Sequence, residues 1–154
     1  MTTKITGANV NTLSLGVVSG VIQTTLAAAL EKVTISATAA TGTINYDLST
    51  QSILYYTSNA SANWTLNIRG NSGTTLNSMI ATGQSVTMTF LVTQGATAYY
   101  NSAVTIDGTS VTPKWLGGSA PSAGNINGVD VYTYTVIKTG SAAYTVFASQ
   151  SRYA

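Results

Sequence analysis

The sequence predicts an all-β protein: a β-sandwich, jelly-roll-like, behind an N-terminal arm that contains a short helix. Three observations carry this expectation. Runs of Val, Ile, Thr and Tyr alternate apolar with polar residues along most of the chain, the period of a strand with one face on a core. Turn signals built on Gly, Asn and Asp separate those runs at short intervals. The chain also changes character near Lys32: before it lies a Gly-punctuated apolar stretch, and after it nearly everything reads as strand. A length of 154 residues suits one folded body with a sizeable core. The arm is therefore assigned to residues 1–32 and the sandwich to residues 33–154.

In the arm, residues 13–30 read LSLGVVSGVIQTTLAAAL. Leu13, Leu15, Val17, Val18, Val21, Ile22 and Leu26 offer more apolar surface than a short solvated tail exposes, which makes them the expected anchor to other chains. Ala27, Ala28, Ala29 and Leu30 favour a helix over residues 21–31. Lys4 and the triple alanine imitate an export signal, but one lysine is a thin basic region. Two Gly, two Ser, two Thr and a Gln interrupt the run, against a membrane helix. The expectation is a structural arm, with no membrane contact.

The body begins with Val33, Ile35 and Ala37, alternating with polar neighbours. Further strands are expected at residues 43–48 and 52–57. Trp64, Leu66 and Ile68 repeat the pattern and place Trp64 in the core. Asn71-Ser72-Gly73 ends that strand, and residues 75–81 read as one helical turn closed by Gly83. The clearest strand is SVTMTFLVT at residues 85–93, where Val86, Met88, Phe90 and Val92 share a face. A strand at residues 98–106 is joined by Asp107-Gly108 to residues 110–112 as a hairpin. Two last strands, at residues 129–139 and 143–149, meet at Thr139-Gly140-Ser141.

Between the hairpin and those last strands lies TPKWLGGSAPSAGN, residues 112–125, with one of the two Trp, both Pro and three of the fourteen Gly. Pro113, Gly117-Gly118 and Pro121 shape the backbone around Trp115. The favoured reading is a strap that plugs Trp115 into the end of the sandwich with Lys114 outward. A ring offered to a sugar or to a neighbouring subunit stays open beside it.

Little here points to catalysis. Asp, Glu, Lys and Arg make up 6% of the chain, against about 25% in typical domains. Six cations and four anions leave a net charge of +2 with no basic stripe, which disfavours nucleic acid. Cys and His are both absent, so disulfides, thiolate metal sites and an imidazole base are excluded. Among Glu31, Asp47, Asp107 and Asp130, Asp107 belongs to its turn. Asp47 and Asp130 could meet around calcium across a sheet, although their spacing gives no support. No catalytic, metal or cofactor residue is expected. The aromatics remain: Tyr55-Tyr56 and Tyr99-Tyr100 each turn one ring outward, and Tyr132 and Tyr134 share a face. Trp115, Tyr56 and Tyr99 are the candidates for glycan or subunit contact.

The phrases ILYYT, ATGQSVT, LVTQGATAYY, TPKW-GG-AP-AGN and DVYTYTVIKT resemble a β-module of virion structural proteins in marine cyanophages and related tailed phages. The likeness runs from about Val33 to Ala154. The opening MTTKITGANV resembles phage structural starts only in a general way. The resemblance implies a non-enzymatic capsid decoration protein at the particle surface, or alternatively a tail-fibre or receptor-binding tip that contacts host glycans. It defines no ligand residues, so none are carried over. The implied partners are sister subunits, in a homo-oligomer set by analogy as a trimer, and the major capsid protein or another virion protein.

Overall fold

The computed structural model describes residues 30–154, and the compact body spans Glu31–Ala154. The seven proposed anchor residues of the arm lie outside the described residues. Of the helix expected at residues 21–31, only Leu30 and Glu31 are described, and neither is helical. The Lys32 carbonyl is already taken by the amides of Ser52 (3.2 Å) and Ile53 (3.3 Å), which commits the chain to a sheet.

The body is all-β, with two sheets packed on one another. Its strands are β1 (Val33–Ala39), β2 (Gly42–Asp47), β3 (Ile53–Ser58), β4 (Trp64–Arg69), β5 (Ser85–Thr93), β6 (Asn101–Ile106), β7 (Thr109–Val111), β8 (Lys114–Trp115), β9 (Val129–Gly140) and β10 (Ala143–Tyr153). The first sheet has the order β1-β3-β5-β9-β10-β8, and the second β2-β4-β6-β7. From β1 to β6 the chain changes sheet at every step. Each sheet therefore grows by one parallel strand per turn, β1-β3-β5 on one side and β2-β4-β6 on the other. The facing strand supplies the long crossover that parallel neighbours need. The hairpin β9–β10 closes the first sheet antiparallel against β5.

This corrects the jelly-roll expectation. A jelly roll is built from antiparallel Greek keys, whereas this body is a parallel coil with antiparallel closing strands. Alternation has the same period in both, so the pattern of side chains is indifferent to the direction of the neighbour.

The core lies between the sheets. β5 contributes Met88, Phe90 and Val92, and β9 contributes Tyr132, Tyr134 and Val136, all buried at alternate positions as expected. Trp64 is 1% exposed. It stands edge-on to Phe90 (6.1 Å, 88°) and to Tyr132 (5.7 Å, 87°), the geometry that sets a positive ring edge on a negative face.

Turn chemistry was largely legible. Asp107 (φ 51) and Gly108 (φ 81) are both left-handed, so the hairpin turn is of the primed type and Ile106 faces Thr109. Asn71 closes its turn by accepting from the Gly73 amide (2.8 Å). The last hairpin turns one step later than expected, at Ser141 and Ala142, and β10 runs on to Tyr153. β6 starts at Asn101, so Tyr99 and Tyr100 lie in the loop before it.

One α-helical turn, α1 (Leu76–Met79), is held at both ends by residues far along the chain, one in the β6–β7 turn and one on β9. Thr75 caps it from within, accepting from the Ser78 amide (3.1 Å). Asp107 reaches across and accepts from the amides of Leu76 (2.7 Å) and Asn77 (3.0 Å). At the other end, the ammonium of buried Lys138 donates to the carbonyls of Asn77 and Ile80. The expected closure by Gly83 is thus replaced by a lysine on β9: a cation satisfies the orphan carbonyls and complements the dipole. Asp107→Asn keeps a residue that tolerates the left-handed turn but turns one of the two acceptors into an amide donor. It is expected to cost about 1–2 kcal/mol in urea unfolding. An unchanged midpoint would show that Asp107 serves only its turn.

Candidate functional site

Among the described residues, the strap and the sheet edge it crosses bring exposed aromatic surface, hydroxyls and a cation together around a sequence-predicted residue. Lys114 and Trp115 form β8, which pairs parallel with β10 through Phe147↔Lys114 and Ala148↔Trp115. A 3₁₀ turn at Leu116–Gly118 follows, with Gly117 (φ 79) and Gly118 (φ 82) in left-handed backbone that a side chain would strain. The return is stitched to β10. The Ala123 carbonyl accepts from Gln150 Nε2 (3.1 Å) and an Arg152 guanidinium nitrogen (2.8 Å), and Asn125 Nδ2 donates to the Tyr153 carbonyl (2.8 Å).

Trp115 is half-buried, its ring 6.0 Å from Tyr134 at 72°. It covers the edge of the core as the strap reading requires. Lys114 points outward, its ammonium 6.0 Å from the Phe147 ring centroid. Beside Trp115 is a groove of about 490 Å³ lined by Phe147, Leu116, Thr133, Thr135 and Ser149. Trp115 also walls a second depression of about 280 Å³ between the strap and β6–β7. The other two candidates lie elsewhere. Tyr56 is half-buried and edge-on to Phe90 (5.3 Å, 83°), so it packs on the core while Tyr55 faces outward. Tyr99 packs on the core near the buried end of β9.

That end of β9 holds a polar knot. Asp130 is fully buried. Its Oδ2 accepts from Gln94 Nε2 (2.9 Å) and the Asn125 amide (3.1 Å). Gln94 also donates to the Tyr99 carbonyl (2.7 Å) and accepts from the Tyr99 amide (2.9 Å). Burial raises the Asp130 carboxyl above the ordinary carboxylate range; the hydrogen bonds from Asn125 and Gln94 and the nearby Arg152 guanidinium oppose this. Asp47 sits in the second sheet and pairs with Arg69 (2.6 Å). The two carboxylates considered for calcium are thus engaged separately, by different partners in different sheets. Among the described residues no three His, Cys, Asp or Glu are grouped to hold a metal ion.

Sequence reasoning passed over Phe147 and Lys138, and it considered Asp130 only as a calcium ligand and not as an inward-facing charge. For Asp130 and Lys138 a signal existed: they share the parity of Tyr132 and Tyr134 on β9, so both had to point inward. Two charges at inward positions imply dedicated partners.

Tyr132 and Tyr134, expected on one face, are stacked at 6.4 Å and 12°. Their hydroxyls meet Asn101: its amide donates to Tyr132, and its Oδ1 accepts from Tyr134 (3.1 Å). Burial raises the phenol pKa of both, and that of Tyr46. The folded state thus holds these protons more tightly than the unfolded one. Stability from this source is complete below the ordinary phenol pKa of about 10 and is lost as pH rises beyond it. These three rings are expected to ionise only with unfolding, as a cooperative step in phenolate absorbance that coincides with loss of the circular dichroism signal. Full, reversible phenolate formation in a still-folded chain would contradict the burial of these hydroxyls.

The chain matches no protein-family model, and comparison with curated proteins and with solved structures gives no significant match. No helix of the described residues is long and apolar enough to cross a membrane.

Proposed function

We propose that this chain is a non-enzymatic structural protein of a phage virion, carried on the particle surface as a capsid decoration protein. The observation that supports it most is the strap. The phrase TPKW-GG-AP-AGN, through which the chain resembles the virion module, is also the segment stitched along β10. The described acids are all engaged in holding structure: Glu31 accepts from the Ser52 hydroxyl, Asp47 holds Arg69, Asp107 caps α1 and Asp130 is sealed in its knot. None is left over as a paired acid and base. In this reading residues 1–32 attach the body to sister subunits, as a trimer, and to the major capsid protein or another virion protein, through Leu13, Leu15 and the apolar positions that follow.

The test is location. Cryo-electron microscopy of the particle places the body on the capsid surface if the reading holds, and on a fibre or tail tip if it does not. Deleting residues 1–30 is expected to leave the circular dichroism and unfolding midpoint of the body within about 0.5 kcal/mol of the parent while abolishing incorporation into particles. Normal incorporation of the truncated chain would remove the anchor role.

A second reading, a receptor-binding tip, is favoured by the groove beside Trp115, where Phe147 is 47% exposed next to the hydroxyls of Thr133, Thr135 and Ser149. An aromatic face with hydroxyls suits a sugar ring. Glycan-array binding that disappears in Trp115→Ala and Phe147→Ala would favour it over decoration.

A further inference from the structure

The outward face of the six-stranded sheet is apolar, hydroxyl-rich and almost free of charge. Alternation on β5 and β9 sends Phe90 and Tyr132 inward and their neighbours outward. Strand register then aligns the outward residues in rows. Ile35, Tyr55, Leu91 and Val131 form one row across four adjacent strands. Val33, Ile53, Thr89, Thr133 and Ser149 form the next. A third carries Thr87, Thr135, Phe147 and, at the far edge, Lys114, the one charged residue of the three rows. At the β1 edge, Val33 and Ile35 are 44% and 69% exposed; at the opposite edge lies the groove beside Phe147. An exposed aliphatic edge and an apolar groove thus stand at opposite sides of one face.

We propose that this face is a self-association surface whose occupant is a second copy of the chain. A two-fold axis along the middle of the sheet, parallel to the strands, brings the β1 edge of each copy over the β10 edge of the other. Val33 and Ile35 then seat against the groove formed by Phe147, Ser149 and Leu116 of the opposing copy, twice over, as an isologous contact requires. The charge pattern favours this partner. The facing rows bury no unpaired ion, and the two Lys114 ammoniums lie at opposite rims. The area suffices as well. Five strand spacings of about 4.8 Å by the nine residues of β5 at about 3.3 Å each give about 700 Å² per copy, close to the about 800 Å² per partner of a standard stable interface. The contact is separate from the arm and does not rest on the virion reading.

Sedimentation equilibrium of the full chain at micromolar concentrations tests it. Ile35→Glu and Thr89→Glu each place an unpaired carboxylate in the interface and are expected to weaken dimerisation by about a hundredfold, with unchanged circular dichroism. Association equal to the parent in both variants overturns the proposal. A cross-linking experiment fixes the geometry independently of the arm. The chain has no cysteine, so Val33→Cys with Ser149→Cys introduces the only thiols. Within one copy they stand four strand spacings apart, about 19 Å, beyond the reach of a short bis-maleimide. Covalent dimer from the double variant, also in a Leu15→Asp background, and not from either single variant, is the expected result. No covalent dimer, or dimer from Val33→Cys alone, overturns it.

Discussion

Trp64→Ala is expected to destabilise the body by about 3–5 kcal/mol, the range for emptying a large aromatic from a packed core. Trp64 is walled in from both sheets. It sits on β4 of the second sheet and meets Phe90 of β5 and Tyr132 of β9 edge-on. Alanine removes the ring from both contacts and leaves a cavity that parallel strands in fixed register on either side cannot collapse to fill. Among the described residues the buried indole N–H finds no acceptor. Trp64→Phe sheds that orphan donor while keeping most of the ring surface, so its cost is expected to stay below about 1.5 kcal/mol. Urea unfolding of the two variants, with Trp115→Ala as the half-buried reference, measures the difference. If Trp64→Ala cost no more than Trp115→Ala, the placement of Trp64 at the centre of the core would be wrong.

Gly124→Ala is expected to cost about 3 kcal/mol or more, a large effect for the addition of one methyl group. A Cβ at this position would stand 2.3 Å from the Tyr99 carbonyl oxygen, 2.7 Å from Asp130 Oδ2 and 2.8 Å from Gln94 Nε2. Each of these atoms is already committed within the buried knot, and two belong to backbone or to a fully buried carboxylate. Room can be made only by drawing the loop away from β9, which strips Asp130 of the Asn125 amide. A buried carboxylate that loses a donor carries its desolvation penalty uncompensated. The companion Asp130→Asn removes the charge and keeps the same shape. In that background the penalty of Gly124→Ala is expected to shrink by about 1 kcal/mol or more, because the two sites share partners. Additive costs in this double-mutant cycle would show that the methyl group acts by steric crowding alone.

The candidate site was half legible. The two prolines and paired glycines around Trp115 indicated a strap, and Trp115 does cover the core edge with Lys114 outward. Phe147 escaped notice because it occupies an outward position in an ordinary alternating strand. Nothing in β10 alone says that a strap will pass beside it and make a groove. Tyr56 and Tyr99 were grouped with Trp115 as candidate contacts, yet neither lines the groove beside it. Sequence distance says nothing about which loops converge.

What the sequence by itself determined are most of the strands, their tight turns and the inward faces of β4, β5 and β9. On β1 the alternating apolar residues Val33, Ile35 and Ala37, read as a core face, are instead exposed, because an edge strand's pattern alone does not say which side the other sheet covers. Val86, Met88, Phe90 and Val92 alternate because each strand must bury one face, and Asp107-Gly108 turns because those residues tolerate left-handed backbone; both are local properties of the chain. Only the tertiary structure decided who pairs with whom. β1, β3 and β5 lie parallel in one sheet, and β2, β4 and β6 in the other, through contacts between residues far apart in the chain. The same contacts turned Asp107 into a helix cap, drew Lys138 to the other end of that helix and sealed Asp130 beneath Gly124. A buried charge is stable only where its partners have been assembled around it, and that assembly is a property of the folded coil rather than of any one strand.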